Sequence, residues 1–180
     1  MRKHGPWTIR SSEIVYRDPW IEVVRDEVIR PDGKDGTHSV VHLKPGVSVL
    51  AIDTDRTVHL TEEFHYGIGR DSVEAVSGGI EEGEDALTSA QRELQEELGF
   101  IAERWTEVGC VDPFTTSVVS PTRLFLAENL THGEANPEGT ELIRCVTMSF
   151  DEALEAVMTG EITHAPTCVL ILKAARQFGL

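Results

Sequence analysis

The sequence predicts an α+β fold, or a mixed β-sheet flanked by helices, with an antiparallel strand unit at its N-terminus. Short β-branched and aromatic runs separated by turn signals occur along much of the chain, which is typical of strands. Longer segments with helical spacing occur in the middle and twice near the end. Because these strands and helices do not alternate regularly, the pattern favours α+β over a doubly wound fold.

The first 44 residues are expected to form the antiparallel unit. The strand-like runs in it are residues 14–16, 21–24, 28–29 and 38–43. Residues 30–37, RPDGKDGT, carry glycine-containing turn signals that are typical of hairpins. The best boundary is Lys44-Pro45-Gly46, so the predicted domains are 1–44 and 45–180.

The remainder of the chain contains both element types. The runs predicted as strands are residues 47–53, 57–64, 105–111, 122–127 and 142–148. One helix is predicted from Ala86 to Leu98, with Asp85 as its N-cap and Gly99 at its end. Two further helices are predicted at residues 150–160 and 166–178.

The net charge of −15 restricts the class of partner. A nucleic acid polymer or an anionic membrane would attract a basic surface, so both are disfavoured as partners. A small phosphorylated ligand remains compatible if a divalent cation mediates its binding. The N-terminus lacks the apolar segment of a signal peptide, and no run approaches the roughly 18 apolar residues of a membrane span. We therefore expect a cytoplasmic protein.

The three cysteines are Cys110, Cys145 and Cys168. They are odd in number, widely spaced and not arranged as CxxC, so a disulfide framework or a zinc site is not expected. Free cysteine usually behaves as a small buried hydrophobe. We expect buried free thiols in a reducing cytosol.

The most acidic stretch of the chain is SGGIEEGEDALTSAQRELQEELGF, residues 77–100. On the predicted helix, the apolar stripe that should face the core consists of Leu87, Ala90, Leu94 and Leu98. Glu93, Glu96 and Glu97 lie at helical positions i, i+3 and i+4, so they should project together. Such a cluster is costly without a positive charge, and oxygen-only ligands suit Mg²⁺ or Mn²⁺. A solvated acidic face is the ordinary alternative.

The spacing of this stretch resembles the Nudix box in every defined position. Five residues separate Gly78 from Glu84, and seven more precede Arg92-Glu93-Leu94. After single intervening residues come Glu96-Glu97 and Gly99-Phe100. The resemblance implies a mixed sheet between helices, with the box as a loop–helix–loop. It also implies hydrolysis of a nucleoside diphosphate linked to another moiety.

The resemblance implies a role for each box residue. Glu93, Glu96, Glu97 and the carbonyl of Ser77 correspond to metal ligands, with Mg²⁺ as the cofactor and Mn²⁺ as an alternative. Among the residues placed in the catalytic set, Arg92 orients the glutamates and Glu84 closes the box loop, while Glu96 is an additional ligand or holds a second ion. Gly78 belongs to a turn whose backbone approaches the ligand closely.

The resemblance extends to the ADP-ribose pyrophosphatase and nucleotide-sugar hydrolase branch. It rests on the segments PGVSVLAID, EAVSGGIEEGE, TRLFLAENL and GEITHAPT. The branch implies a homodimer with exchanged N-terminal strands, in which Trp20 stacks on the nucleobase or, alternatively, only packs. It implies that Glu74 binds substrate or stabilises the loop. The catalytic base would come from the late acidic loop, where Glu134, Glu138 and Glu141 are candidates and Glu141 aligns best.

The sequence departs from the branch at three places. His65, a structural or substrate-binding residue, replaces an arginine, the Ser-Pro-Gly after the box is absent, and a glutamate is replaced near Val118. We therefore expect Mg²⁺-dependent cleavage of ADP-ribose or a nucleotide sugar into a nucleoside monophosphate and a sugar phosphate. The alternatives are hydrolysis of nucleoside triphosphates or dinucleoside polyphosphates, and a non-catalytic nucleotide sensor.

Overall fold

The computed structural model of the chain describes residues 1–133 and 142–179. The strands are β1 (Arg2–His4), β2 (Trp7–Arg17), β3 (Ile21–Ile29), β4 (Asp35–Leu43), β5 (Gly46–Ile52), β6 (Thr57–His65), β7 (Arg70–Glu74), β8 (Val76–Gly79), β9 (Phe100–Val111), β10 (Val118–Val119), β11 (Thr122–His132) and β12 (Arg144–Ser149). The helices are α1 (Ala86–Leu98), α2 (Phe150–Thr159) and α3 (Ala165–Phe178). No helix in the described part of the chain is long and apolar enough to cross a membrane.

One compact unit consists of Met1–Pro45 together with Phe114–Ser120. Its sheet has the order β1-β2-β3-β4-β10. The pairs from β1 to β4 are antiparallel, whereas β10 pairs with β4 in parallel, with Val118 opposite Val41. The three long strands correspond to the runs that the sequence indicated. The short strands β1 and β10 are additional, and β10 comes from a segment far along the chain.

The second unit consists of Gly46–Pro113 and Pro121–Leu180. Its sheet has the order β12-β6-β5-β11-β9, with β7 pairing with β6 and β8 with β5. The β5–β11 pair is parallel, and the other pairs are antiparallel. This is the predicted mixed sheet, so the predicted α+β fold class is confirmed.

Helices cover both faces of this sheet, because successive strand residues point to opposite sides. Leu50 and Ile52 of β5 belong to the cluster that includes residues of α2 and α3. Val49 and Ala51 belong to the cluster that includes residues of α1. The sheet therefore lies between helices, and β5, buried on both faces, is its central strand.

Helix α1 begins and ends where the sequence predicts. The Asp85 side chain accepts hydrogen bonds from the backbone N–H groups of Leu87 and Thr88, and Gly99 ends the helix at φ 67°. Ala90 and Leu94 are fully buried, but Leu87 is 39% exposed. The prediction that Leu87 faces the core was therefore wrong. It shares that face but lies in the first turn, where it borders an open cleft.

Candidate functional site

The centre of the candidate site is the contact between Gly78 of β8 and Glu93 of α1. A Cβ atom placed on Gly78 would lie 2.0 Å from both Cδ and Oε1 of Glu93. No real Cβ approaches another heavy atom so closely, so only glycine leaves room for this carboxyl group. The Glu93 side chain is only 13% exposed. Its carboxylate is therefore fixed against the backbone of strand β8.

Arg92 gathers the acidic side chains around this contact. Its Nη1 lies 2.8 Å from Oε1 of Glu93 and 3.0 Å from Oε2 of Glu96. Its Nε lies 3.1 Å from Oε1 of Glu84, and its Nη2 donates to the carbonyl of Gly79 at 3.1 Å. One guanidinium thus joins three carboxylates and the glycine loop. A planar group with five donors is suited to this task.

Glu84 anchors Arg92 and is itself held by three partners. Its carboxylate accepts hydrogen bonds from Arg92, from the Ser89 hydroxyl and from the backbone N–H of Glu81 at 3.2 Å. Arg92, followed by Ser89, lowers the pKa of Glu84 to about 2. The pKa of Arg92 is raised, chiefly by its hydrogen bond to Glu84. Both groups therefore remain charged at neutral pH.

The oxygen donors predicted as metal ligands lie on two neighbouring elements. Glu93, Glu96 and Glu97 lie on α1, and Ser77 lies on β8. Glu93 and Glu96 approach the same nitrogen of Arg92. Among the described residues, no group of three or more histidine, cysteine, aspartate or glutamate side chains is arranged to hold a metal ion. The chemistry of the donors, all oxygen and mostly anionic, nevertheless fits a hard divalent cation.

The hydroxyl of Ser77 is used inside the protein. It donates to the carbonyl of Ala75 at 2.8 Å and contacts the hydroxyl of Ser48 at 3.0 Å. Ser48 is the residue opposite Ser77 in the β5–β8 pair. The metal-ligand role expected of Ser77 involves its carbonyl oxygen and is compatible with these contacts.

A second carboxylate, Glu74 at the end of β7, lies between two histidines. Its Oε1 is 3.2 Å from Nε2 of His65, and its Oε2 is 3.1 Å from Nδ1 of His164. The side chain of Glu74 is 12% exposed. The structure thus brings together two residues that the sequence singled out, Glu74 and His65. It adds His164, which the sequence analysis did not name although it lies in the quoted segment GEITHAPT.

His164 is the N-cap residue of α3 but makes no side-chain capping bond. Its Nδ1 lies 2.8 Å from Oγ1 of Thr167, and that oxygen accepts the backbone N–H of Ala75 at 2.9 Å. Burial lowers the pKa of His164; Glu74 opposes this effect and His65 adds to it. The start of α3 is therefore tied to the chain immediately after Glu74.

The two remaining predicted residues have different outcomes. Trp20 lies between β2 and β3 and is 73% exposed. Its backbone N–H donates to Oδ1 of Asp18 at 2.8 Å, which holds the turn and leaves the indole uncovered within this chain. Glu141, like Glu134 and Glu138, lies outside the described residues.

Comparison with family models supports the resemblance drawn from the sequence. Residues 42–167 match the model described as the NUDIX domain. Residues 7–41 match the model described as the nucleoside diphosphate sugar hydrolase N-terminal domain. The predicted resemblance is confirmed by these two matches, which together span most of the chain.

Known proteins resemble the chain along nearly its whole length. The ADP-ribose pyrophosphatase of Bacillus subtilis (strain 168) is 27% identical over 173 residues, which is 93% of this chain and 94% of that protein. The methanol dehydrogenase activator of Bacillus methanolicus is 25% identical, over 91% of this chain and 89% of that protein. A crystal structure of an ADP compounds hydrolase superposes with a TM-score of 0.84 at 18% identity, covering 99% of this chain and 97% of the other. That last likeness shows the fold.

Proposed function

Because the chain belongs to the Nudix family and is a Nudix pyrophosphohydrolase, we propose that it acts on a nucleoside diphosphate linked to a sugar. The substrate is ADP-ribose or a nucleotide sugar, and the products are a nucleoside monophosphate and a sugar phosphate. The names of relatives such as the Bacillus subtilis ADP-ribose pyrophosphatase support this substrate class. The match of residues 7–41 to a nucleoside diphosphate sugar hydrolase N-terminal domain supports it independently.

The observation that carries the proposal is the placement of the Glu93 carboxylate in the space that a side chain at Gly78 would fill. A solvated acidic helix needs no such contact, whereas a helix that presents ligands to a metal must hold each carboxylate in one position. Glu93 and Glu96 also share one guanidinium nitrogen. These contacts favour the functional interpretation of the acidic helix over a merely solvated face.

Nudix enzymes use a divalent metal, and the proposed cofactor here is Mg²⁺, with Mn²⁺ as an alternative. Its ligands are the carboxylates of Glu93, Glu96 and Glu97 and the carbonyl of Ser77. When bound, such an ion neutralises charge on the pyrophosphate oxygens and activates water for attack at phosphorus. Carboxylates with few other protein ligands suit Mg²⁺, which usually retains water and binds substrate phosphates.

The protein's own residues position these ligands. Arg92 holds Glu93 and Glu96 at 2.8 and 3.0 Å from one nitrogen, so their mutual repulsion is offset before any cation arrives. Glu84 fixes Arg92 from the opposite side. Its depressed pKa keeps it ionised at neutral pH, so Glu84 is a positioning residue and not a proton donor. Preorganisation of this kind limits the rearrangement needed during the reaction.

The substrate-facing roles are also proposals. Glu74, held between two imidazoles, and His65 bind the substrate, and the backbone at Gly78 approaches its phosphates. Trp20 is exposed and therefore available to stack on the nucleobase, in a homodimer whose N-terminal strands are exchanged. Glu141 of the acidic loop is the proposed base for the attacking water. The enzyme is proposed to act in the cytoplasm.

The test is turnover by purified protein with Mg²⁺ at mildly alkaline pH. The panel contains ADP-ribose, GDP-mannose, UDP-glucose, a dinucleoside polyphosphate and the nucleoside triphosphates. Phosphatase is added to release inorganic phosphate from the monophosphate products, and the products themselves are separated in a parallel sample. Glu97→Gln is the site variant, and Glu103→Gln, an exposed carboxylate on β9, is its matched control.

We expect one sugar-linked diphosphate to turn over, with Glu97→Gln losing most of that activity and Glu103→Gln retaining it. Preferred cleavage of triphosphates or of the dinucleoside polyphosphate would replace the proposed substrate class. Binding of a panel compound without turnover would support a sensing role. Light scattering of the eluted protein tests the homodimer, and a monomer that is fully active would contradict the exchanged-strand arrangement.

A further inference from the structure

The three thiols of the chain have different surroundings. Cys110 and Cys145 are exposed, which makes the expectation that they are buried wrong, and Cys168 is half-buried. The Cys168 thiol donates to the carbonyl of Ile162 at 3.4 Å, and burial raises its pKa. Both exposed thiols lie on strands at the two edges of the same sheet, Cys110 on β9 and Cys145 on β12.

An imidazole held by a carboxylate lies beside Cys145. Nε2 of His59, on β6, is 2.8 Å from Oδ2 of Asp53, in the turn that joins β5 to β6. This contact orients the ring and favours the proton on Nε2, so Nδ1 is free to accept one. The ring is nearly buried, at 9% exposure, and packs against Phe100 with 4.6 Å between ring centroids. The imidazole is therefore held in a single orientation.

Strand pairing directs Cys145 toward this ring. Thr147 lies opposite His59 and Cys145 opposite Thr61 in the β12–β6 pair, so all four side chains share one face of the sheet. Oγ1 of Thr147 is 3.5 Å from Nδ1 of His59 and 3.9 Å from Sγ of Cys145. The Thr147 hydroxyl thus lies between the exposed sulfur and Nδ1 of the imidazole. Asp53 holds the other nitrogen of the ring.

The electrostatic effects within this group favour the thiolate form of Cys145 and the protonated form of His59. The pKa of Cys145 is lowered, first by the neighbouring His59, against the opposing effect of burial. The pKa of His59 is raised, first by the neighbouring Cys145 and further by Asp53. Other titratable groups around the pair are Asp55 in the same turn, His132 across Phe100, and Arg144, which is paired with Glu62.

Cys110 is also exposed, so it serves as an internal control for the effect of exposure on thiol reactivity. Its sulfur donates to the carbonyl of Val111 at 3.8 Å and not to an imidazole. Arg123 lies near it but is engaged by Glu107 at 2.7 Å. The same sheet therefore contains a second exposed thiol, Cys110, that has no base beside it among the described residues.

We propose that Cys145, with His59 as its base and Asp53 as the residue that positions the imidazole, is a thiol–disulfide exchange site for low-molecular-weight disulfides. In the exchange, the proton of the thiol passes to Nδ1 of His59, and the thiolate attacks one sulfur of the disulfide. A sulfur–sulfur bond forms to Cys145 while the disulfide's own bond breaks. The departing sulfur takes the bonding electron pair as a thiolate and recovers the proton from His59. Cys145 is oxidised and the departing thiol is reduced, so the exchange is balanced.

This site is separate from the proposed hydrolytic machinery. Cys145, His59 and Asp53 are not among the residues assigned to metal, substrate or proton transfer. The proposal does not depend on the identity of the hydrolysed nucleotide.

The test is the rate at which each cysteine of the folded protein reacts with oxidised glutathione. Aliquots are quenched with acid, and the mixed disulfide at each position is quantified by peptide mass spectrometry. At about pH 7 we expect Cys145 to react about tenfold faster than Cys110, because a larger share of it is thiolate. The difference should shrink at about pH 10, because at that pH a thiol ionises without the help of a neighbouring base. A chromogenic aromatic disulfide gives the same comparison on the variants Cys110→Ser and Cys145→Ser.

The base is tested with His59→Gln, and with Asp53→Asn in case removal of the buried ring unfolds the protein. Circular dichroism and thermal unfolding confirm the fold of each variant. We expect His59→Gln to abolish the advantage of Cys145 over Cys110 and Asp53→Asn to reduce it about threefold, since the ring remains but loses its anionic partner. Equal rates at Cys145 and Cys110 in wild type, or an advantage that persists in both variants, would overturn the proposal.

Discussion

Glu84 and Glu74, two carboxylates of the second unit, are almost equally exposed, but one is paired with a guanidinium and the other with two imidazoles. Glu84 is 13% exposed and is bound by the guanidinium of Arg92. Glu74 is 12% exposed and lies between the imidazoles of His65 and His164. A guanidinium does not lose its proton in proteins, whereas an imidazole titrates near neutral pH. The positive charge in the Arg92 network is therefore constant in the physiological pH range, whereas the Glu74 cluster contains His164, whose pKa burial lowers.

This difference separates two tasks. The proposed metal ligands need a constant charge environment, and Arg92 with Glu84 provides it. Glu74 and His65, which are proposed to contact the substrate, belong to the cluster that contains imidazoles. His65, where the branch carries an arginine, falls in this second group, so we expect this departure to affect substrate preference and not phosphate chemistry.

The largest effect is expected from Gly78→Ala, which disturbs the Arg92 network sterically without changing any charge. The new Cβ would lie 2.0 Å from Cδ of Glu93, so the carboxyl group has to move. Displacing a reacting or ligating group by about 1 Å costs on the order of 100-fold in rate. We expect a loss of at least that size in kcat/KM, with little change in the unfolding temperature.

The matched control is Gly67→Ala. An added Cβ at Gly67 would meet nothing within 4 Å, so this variant should retain both activity and stability. If Gly78→Ala were as active as Gly67→Ala, the fixed position of Glu93 would have no part in catalysis.

The next effect is expected from Arg92→Lys, which keeps the charge but removes the fork of donors. A lysine cannot bind Glu84, Glu93 and the Gly79 carbonyl at the same time. We expect kcat/KM to fall about 10- to 100-fold, the range found when groups that orient metal ligands are removed. The apparent affinity for Mg²⁺, measured from the dependence of initial rates on its concentration, should fall with it. An unchanged Mg²⁺ dependence would show that Arg92 does not organise the ligands.

A smaller effect is expected on stability from Glu84→Gln. Hydrogen bonds to charged groups contribute about 1.5 to 3 kcal/mol each, so the free energy of unfolding at neutral pH should fall by about that amount. The folded pKa of Glu84 is about 2, below its ordinary value of 4.5, so its contribution is complete above pH 4.5 and is lost as pH falls toward 2. Denaturant titrations across this range should show the gap between wild type and variant closing. A gap that is independent of pH would contradict the assignment.

The smallest effect is expected from the titration of His164. Its folded pKa lies below its ordinary value of 6.5 because it is buried, so the unfolded state binds more protons in that range. Stability should therefore rise with pH, and be lost as pH falls below about 6.5. In His164→Gln, the slope of unfolding free energy against pH should be shallower by at most about one proton. A slope identical to wild type would show that His164 is not held neutral by the fold.

The features that the sequence predicted correctly depend on residues that are close together in the chain. Helix α1 has its cap at Asp85 and its end at Gly99 as expected, because capping and glycine termination are local. The central strand β5 was likewise visible as an apolar run. Helical spacing placed Leu87 in the core. Spacing alone does not show how far along the helix the sheet that covers it extends.

Contacts between distant segments could not be predicted in the same way. Glu74 meets His164 across ninety residues of chain, and Thr147, beside Cys145, meets His59 across eighty-eight. Both contacts depend on strand pairing and on the docking of a late element against the sheet. Neither motif has a characteristic spacing, so each histidine looked ordinary in the sequence.

We have proposed that the carboxylates of α1 hold the divalent cation used in pyrophosphate hydrolysis. The most direct measurement is Mn²⁺ binding, by electron paramagnetic resonance, to wild type, Glu93→Gln and Glu103→Gln, with turnover of ADP-ribose or the best panel substrate in the same samples. The account predicts that wild type and Glu103→Gln bind the ion and turn over substrate, while Glu93→Gln loses both. Mn²⁺ binding and turnover by Glu93→Gln equal to those of wild type would contradict it.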